Sequence, residues 1–317
     1  MAKTDPSWLL FDRIVELAQA EPDYATPWQH DGDSPRYVID EKTLNRLLGV
    51  PLLLGSISQT GLLAKPLDVW VAHELRRAGF DPDGIWPREN PPRVLSAPVA
   101  KLIASPPQTL QAPMRERVYR DDSISGVSGA NADVLGKLYQ KQVDAGMSRW
   151  QTGPEVLVST KRMDSSFGRN AKNRAEESYG DAKNLRLRHP LAALGFVFAV
   201  RSTILDGSDR AFTQLVDVLT KLGQEEDAYH STSLLVIEYA DSDVIVDPPD
   251  TSSFQSLDAA IAELPDFALR WDRMQTHLRP DTFLAKIINR VLDVTPNDYH
   301  VEARRRRGLV LGGIPEA

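Results

Sequence analysis

The chain has no cysteine among its 317 residues. Disulfide bonds and cysteine-ligated zinc or iron–sulfur sites are therefore excluded, as suits a reducing compartment. Long apolar runs are also missing: the longest, Leu191 to Val200, is about half of the roughly 20 residues that a membrane-spanning helix needs. The N-terminus lacks the basic start and apolar core of a signal peptide. We therefore expect a soluble, cytoplasmic protein without a membrane partner.

Several common catalytic patterns are missing as well. The sequence contains no glycine-rich phosphate loop of the Walker or dinucleotide type and no G-x-S-x-G elbow. Its 6 histidines are scattered, and no two of them have the spacing of a zinc-binding helix. A hydrolase that uses a serine triad is therefore disfavoured.

Positive charge is in the minority, with 37 Lys and Arg against 44 Asp and Glu. The net charge of −7 argues against indiscriminate binding of nucleic acid, which needs a cationic surface. One segment departs from this balance because it concentrates basic residues: Lys161, Arg162, Arg169, Lys172, Arg174, Lys183, Arg186 and Arg188. This segment is either a local surface for nucleic acid or the solvated face of a helix.

A loop rich in Ser and Gly, around Asp121 to Asn131, is the best internal boundary and divides the chain near residue 125. Residues 1–125 are predicted to be mainly helical, as in the stripe of Leu67, Trp70, Val71 and Leu75 that ends at Gly79. Residues 126–317 are predicted to contain buried strands at Glu155–Lys161, Leu191–Ile204 and Ser233–Tyr239, and helices at Val134–Val143, Phe212–Leu222 and Phe283–Leu292. This order of elements predicts an α/β core whose sheet is covered on both faces.

The most informative segment is the strand predicted at Gly153–Lys161, followed by a helix start at Glu176 and Glu177. Residues 155, 157, 159 and 161 should share one face, because successive side chains of a strand point to opposite sides. Carboxylates bind Mg²⁺ through hard oxygen ligands, and an ammonium group nearby offsets the charge of a phosphate. The pattern is typical of a magnesium-dependent phosphodiesterase.

The tripeptide Ser159–Lys161, Ser-Thr-Lys at the end of this strand, resembles the S-x-K variant of the PD-(D/E)xK nuclease superfamily. That superfamily includes many type II restriction endonucleases. The resemblance implies a restriction-endonuclease-like core, a mixed sheet flanked by helices, in residues 126–317. In the variant, a Glu of the following helix replaces the acidic residue before the lysine, a role that falls here to Glu176 or, preferably, Glu177. Glu155, which follows a proline, stands where the family has Pro-Asp.

This assignment makes Lys161, Glu155 and Glu177 the catalytic residues, with Glu155, Glu177 and Glu176 holding Mg²⁺. Lys161 would help to deprotonate the attacking water or stabilise the charge on the phosphate. The side chains assigned to flanking phosphates of the DNA are Arg162, Arg169, Lys172 and Arg174. Asp144, or the loop at Asp121 and Asp122, is an alternative source of the first acidic ligand.

The expected function is a magnesium-dependent DNA endonuclease of the restriction or phage-defence kind. Its partner is double-stranded DNA, and a homodimer is expected because two strands must be cut. A companion methyltransferase or defence subunit is a further candidate partner, and residues 1–125 would serve recognition or dimerisation. Two alternatives stay open: a non-catalytic DNA-binding or scaffolding subunit with the same fold, and a protein-interaction subunit that works through its helical N-terminal half.

Overall fold

The computed structural model of the chain describes residues 6–30, 34–55, 61–120, 124, 127–207, 209–240 and 254–309. This part of the chain is an α/β fold in which helices flank a mixed six-stranded sheet. The α/β class predicted from the sequence is confirmed. The loop at Asp121 and Asp122, one of the candidate sources of a metal ligand, lies outside the described residues.

The N-terminal part is mainly helical. Its elements are α1 (Pro6–Gln19), β1 (Trp28–Gln29), β2 (Arg36–Tyr37), α2 (Glu41–Leu53), α3 (Lys65–Arg77), β3 (Ile85–Trp86), β4 (Val94–Leu95), α4 (Ala97–Ala104) and α5 (Gln108–Arg120). Asp40 caps α2, because its side chain accepts a hydrogen bond from the backbone N–H of Thr43 at 3.0 Å. Helix α3 ends just before Gly79, whose φ of 96° favours glycine and stops the helix.

The rest of the chain alternates strands and helices. Its elements are β5 (Ser128–Gly129), β6 (Ala132–Leu135), β7 (Gln140–Val143), β8 (Ala145–Arg149), β9 (Gly153–Met163), α6 (Gly168–Arg186), β10 (Ala193–Arg201), α7 (Ile204–Gly207), α8 (Asp209–Leu222), β11 (Ser231–Glu238), α9 (Phe254–Ala262), β12 (Ala268–Leu269), α10 (Pro280–Val294) and α11 (Val301–Arg307). The three predicted buried strands correspond to β9, β10 and β11 and are confirmed. The helices predicted at Phe212–Leu222 and Phe283–Leu292 are confirmed as α8 and α10.

The helix predicted at Val134–Val143 is wrong, because β6 and β7 form an antiparallel hairpin there. Of the apolar residues that gave this segment its helical period, Val143 is buried, but Leu135 is 52% exposed and Leu138 is 80% exposed. Periodicity predicts a helix only when the apolar face has a partner to pack against.

The main sheet has the strand order β12-β11-β10-β9-β8-β3. Strands β9, β10 and β11 run parallel, and β8 runs antiparallel to β9 as its hairpin partner. Helix α6 connects β9 to β10, and α8 lies in the connection from β10 to β11, as parallel neighbours require. Strand β10 is buried over nearly its whole length, which explains its continuous apolar sequence.

Helices cover both faces of this sheet. Thr232 and Ser233 are neighbours on β11, so their side chains point to opposite faces. Thr232 donates a hydrogen bond to Leu219 O in α8, whereas Ser233 donates to Leu278 O just before α10. Helix α3 packs against β8 and β9. None of the helices in the described ranges is both long and apolar enough to span a membrane.

The hydrophobic core continues across residue 125. Phe11 and Trp70 of the N-terminal helices belong to the same buried cluster as Phe196, Phe198 and Phe283. Strand β3 also joins the main sheet through β8. The N-terminal helices therefore form part of the support of the sheet.

Candidate active site

Two carboxylates meet at Thr160, near the carboxyl end of β9. Asp144 immediately precedes β8, whose first residue Ala145 pairs with Val158 of β9. Thr160 therefore lies two residues beyond the end of this ladder. Its backbone N–H donates a hydrogen bond to Asp144 Oδ2 at 2.9 Å. The Asp144 side chain thus satisfies a backbone donor that the β8 ladder does not reach.

The second carboxylate comes from helix α3. The hydroxyl of Thr160 donates a hydrogen bond to Asp68 Oδ1. Asp68 lies in the first turn of α3, where the positive end of the helix dipole favours a negative charge. Thr160 is 1% exposed and therefore held firmly in the strand. One buried residue thus binds Asp144 through its backbone and Asp68 through its side chain.

Asp68, Asp144 and Thr160 line a cavity of about 390 Å³ together with Lys161. The cavity wall contains three further cationic residues: Lys65, Arg162 and Arg174. It lies near the carboxyl end of β9, the edge at which ligands commonly bind in open α/β sheets. Cationic groups around two carboxylates can hold a phosphate and a divalent cation side by side.

The two carboxylates are electrostatically unfavourable in this position. Burial and the charge of Asp144 hold the pKa of Asp68 well above its usual range, against the opposite effects of Thr160 and Lys161. Burial also raises the pKa of Asp144, against the opposite effect of Lys161. Carboxylates that are crowded and partly buried in this way favour the protonated form unless a cation joins them. Perturbed pairs of this kind are typical of functional sites.

Glu155 is not brought to this cavity. It is six residues from Lys161 along β9, roughly 20 Å at the usual rise per residue. The shared face of Glu155 and Lys161 stays a prediction, because a register shift in the β8–β9 ladder leaves Glu155 without a partner. Its buried carboxylate accepts a hydrogen bond from Thr152 Oγ1 at 2.6 Å, and His300 Nε2 lies 3.2 Å from its Oε2.

Glu176 and Glu177 lie inside α6, which begins at Gly168, so the helix start predicted at these residues is wrong. Both are exposed. The Glu177 carboxylate pairs with Arg174 one turn earlier, at 3.2 Å. Within the described ranges, no group of three or more His, Cys, Asp or Glu side chains is placed to hold a metal ion. Neither Glu176 nor Glu177 is among the residues that line the cavity at Thr160.

The predicted DNA-contacting cations differ in their surroundings. Arg174 is half-exposed at the cavity. Arg162 is buried, and its guanidinium donates to both carboxylate oxygens of Asp164 at 2.8 Å. Arg162 therefore supports the fold beside the cavity. Arg169 and Lys172 belong to α6, but their side chains lie outside the part of the chain that the structure describes.

Sequence reasoning missed Asp68, although a signal was present. Asp68 lies three, four and seven residues before Val71, Ala72 and Leu75, so it falls on the helical face that carries these apolar residues. A carboxylate on the apolar face of a buried helix needs a partner or a function. Asp144 was an open alternative, and its place at the cavity depends on the β8–β9 pairing.

No family model, no curated protein and no solved structure matches this chain.

Proposed function

We propose that the chain is a magnesium-dependent DNA endonuclease whose active site is built from Asp68, Asp144 and Lys161. The observation that carries the proposal is the convergence of these three side chains on one cavity near the carboxyl end of β9. A restriction-endonuclease-like core belongs to the same proposal. It is supported by the order of the antiparallel pair β8 and β9, the helix α6 and the parallel strand β10.

The donor set fits a magnesium ion. Asp68 and Asp144 offer hard carboxylate oxygens, and their pKa values stay raised although the charge of Lys161 acts to lower both. These two residues would hold the ion in place of the predicted Glu155, Glu176 and Glu177. A bound magnesium ion would supply stabilisation of negative charge on the phosphate and a more acidic water molecule.

The cationic residues have separate roles in this proposal. Lys161 places an ammonium group in the cavity, where it offsets charge on the phosphate and orients the attacking water. Arg174 stands half-exposed at the cavity and binds a flanking phosphate. Its pairing with Glu177 is exposed to solvent and therefore weak, so a phosphate can displace the carboxylate.

The proposed substrate is double-stranded DNA, in a restriction or phage-defence role. A homodimer follows from the need to cut two strands, and a companion methyltransferase or defence subunit remains a candidate partner. If no DNA is cleaved, the alternative function is that of a non-catalytic scaffold.

The test is cleavage of modified and unmodified plasmid and phage DNA, with Mg²⁺ or with EDTA. We expect magnesium-dependent cutting by the wild type. Asp68→Asn, Asp144→Asn and Lys161→Ala should each slow it by about 10²- to 10³-fold, the range for loss of one electrostatic stabiliser. A single-stranded DNA and an RNA substrate, assayed in parallel, identify the nucleic acid.

Two conservative variants are the matched controls. Glu155→Gln and Glu177→Gln also remove one carboxylate charge each, but neither lines the cavity. Both should cut at close to the wild-type rate. Loss of cutting in Glu177→Gln with full activity in Asp68→Asn would move the metal site to α6. Binding of DNA without any cutting would support the scaffold.

A further inference from the structure

Thr160 donates a hydrogen bond to each of the two carboxylates of the proposed active site. Asp68 and Asp144 come from different elements, a helix of the N-terminal part and the start of β8. Both are carboxylates, which carry the same negative charge when they are ionised. Electrostatic repulsion therefore favours rotation of the two side chains away from each other. The hydrogen bonds from Thr160 oppose that rotation.

The threonine side chain suits this task. Its branched Cβ restricts χ1, and β9 fixes its backbone between β8 and β10. At 1% exposure, its side chain is shielded from bulk solvent. Valine has nearly the same shape and keeps the backbone bond to Asp144, but it cannot donate to Asp68. Serine keeps both donors.

We propose, on the basis of the proposed nuclease function, that Thr160 is the positioning residue of this site. Its hydroxyl holds Asp68 and its backbone N–H holds Asp144, so that both carboxylates face one divalent cation before that cation arrives. Groups that orient metal ligands typically affect metal affinity by about 10- to 100-fold when they are removed. Thr160 touches neither the phosphate nor the water in this proposal and therefore acts through the two carboxylates.

The test is titration of the full chain with Mn²⁺ by calorimetry at neutral pH. Thr160→Val should bind Mn²⁺ about 10- to 100-fold more weakly than the wild type. Thr160→Ser should restore the affinity to within a few-fold, because it keeps the hydroxyl. DNA cleavage by Thr160→Val should recover towards the wild-type rate at saturating Mn²⁺, whereas Lys161→Ala should not recover.

Thr232→Val is the matched control. Thr232 is a buried strand threonine, 3% exposed, whose hydroxyl donates to Leu219 O at 2.8 Å. Both valine variants should lower the urea midpoint of unfolding by a similar amount, because each loses one buried hydrogen bond. Only Thr160→Val should lose metal affinity, which separates positioning from stability.

The possible failures are distinguishable. If the wild type binds Mn²⁺ and Asp68→Asn does not, but Thr160→Val binds as tightly as the wild type, the positioning role is overturned and the nuclease proposal stands. If the wild type neither binds Mn²⁺ nor cuts DNA, the nuclease proposal fails and the positioning role with it. Should Thr160→Val not fold, Thr160→Ala takes its place beside Thr160→Ser, with the same expected difference.

Discussion

At the scale of the residue, Asp68 and Asp144 occupy positions in which a negative charge is unfavourable. Both folded-state pKa values are raised, Asp68 by burial and by its neighbour Asp144, and Asp144 by burial. In the range between the unfolded and folded pKa values, the folded state holds more protons than the unfolded state. Stability of the cation-free protein is therefore lost as pH rises through this range.

Asp68→Asn and Asp144→Asn should consequently stabilise the cation-free protein at pH 8. The neutral amide removes the buried like charges while its oxygen still accepts the hydrogen bond from Thr160. We expect the free energy of unfolding to rise by about 1 kcal/mol, a gain within the usual range for a single stabilising substitution. Urea unfolding in EDTA at pH 8 and pH 4 measures it, and the gain should shrink at pH 4.

Asp227→Asn is the control for that measurement. Asp227 is an exposed aspartate whose pKa is lowered by its hydrogen bond with Lys183, so its substitution should not raise stability at pH 8. Addition of Mg²⁺ should stabilise the wild type more at pH 8 than at pH 5 and should leave Asp68→Asn nearly unchanged. A wild type that is no less stable than both cavity variants at pH 8 in EDTA would contradict the electrostatic account.

Individual residues also show which parts of the candidate site could be predicted from the sequence. Lys161 was selected because it ends a strongly hydrophobic strand, and it lines the cavity. Glu155 was chosen on strict alternation, which a bulge interrupts. Asp68 and Thr160 were missed because their contact joins positions 92 residues apart, and only the packing of α3 on β9 brings them together.

At the scale of the element, α3 contributes Asp68 at its first turn and is fixed at its other end by a buried network. Glu74 is 0% exposed and accepts hydrogen bonds from Tyr37 Oη at 2.9 Å and Trp70 Nε1 at 3.1 Å. Its carboxylate also pairs with the buried guanidinium of Arg77 at 2.7 Å. This network sets the position of the helix, and hence of Asp68, against the sheet.

Glu74→Gln should destabilise the protein by about 3 kcal/mol, because it leaves the buried charge of Arg77 without its counter-ion. Urea unfolding at neutral pH measures the loss. Glu177→Gln is the matched variant, since Arg174 and Glu177 are also an Arg–Glu pair three residues apart in a helix, but 56% and 63% exposed. Its cost should stay below about 1 kcal/mol. Equal costs for the two substitutions would mean that the network does not anchor α3.

Helices and strands were predicted correctly where a single hydrophobic pattern defines them. Strand β10 and helix α8 have continuous or strongly periodic apolar sequences and were found. The start of α6 and the β6–β7 hairpin were not found, because few buried apolar residues mark them. The register between β8 and β9 could not be predicted from the sequence, because it depends on two strands at once. The pairing of Ala145 with Val158 in this register brings Asp144 to Thr160.

At the scale of the whole molecule, the boundary that we predict near residue 125 does not separate two cores. Helix α3 packs against β8 and β9, β3 extends the sheet beyond β8, and α10 contacts β2 as well as β10. The buried cluster contains residues from both sides of the boundary. The cavity draws on both sides too, since Asp68 precedes the boundary and Asp144 follows it.

A fragment of residues 126–317 should therefore fail to fold on its own, although the sequence pattern marks it as a nuclease-like unit. Without α3, the face of β8 and β9 that it covers is exposed to water, at a cost of about 25 cal/mol for each Å² of apolar surface. Circular dichroism during heating should show no cooperative transition for the fragment and a single one for the full chain. Co-expression with residues 1–125 is the control, and it should restore both the transition and magnesium-dependent cleavage. A fragment that unfolds cooperatively and cuts DNA alone would show that Asp68 is dispensable and that the active site lies wholly after residue 125.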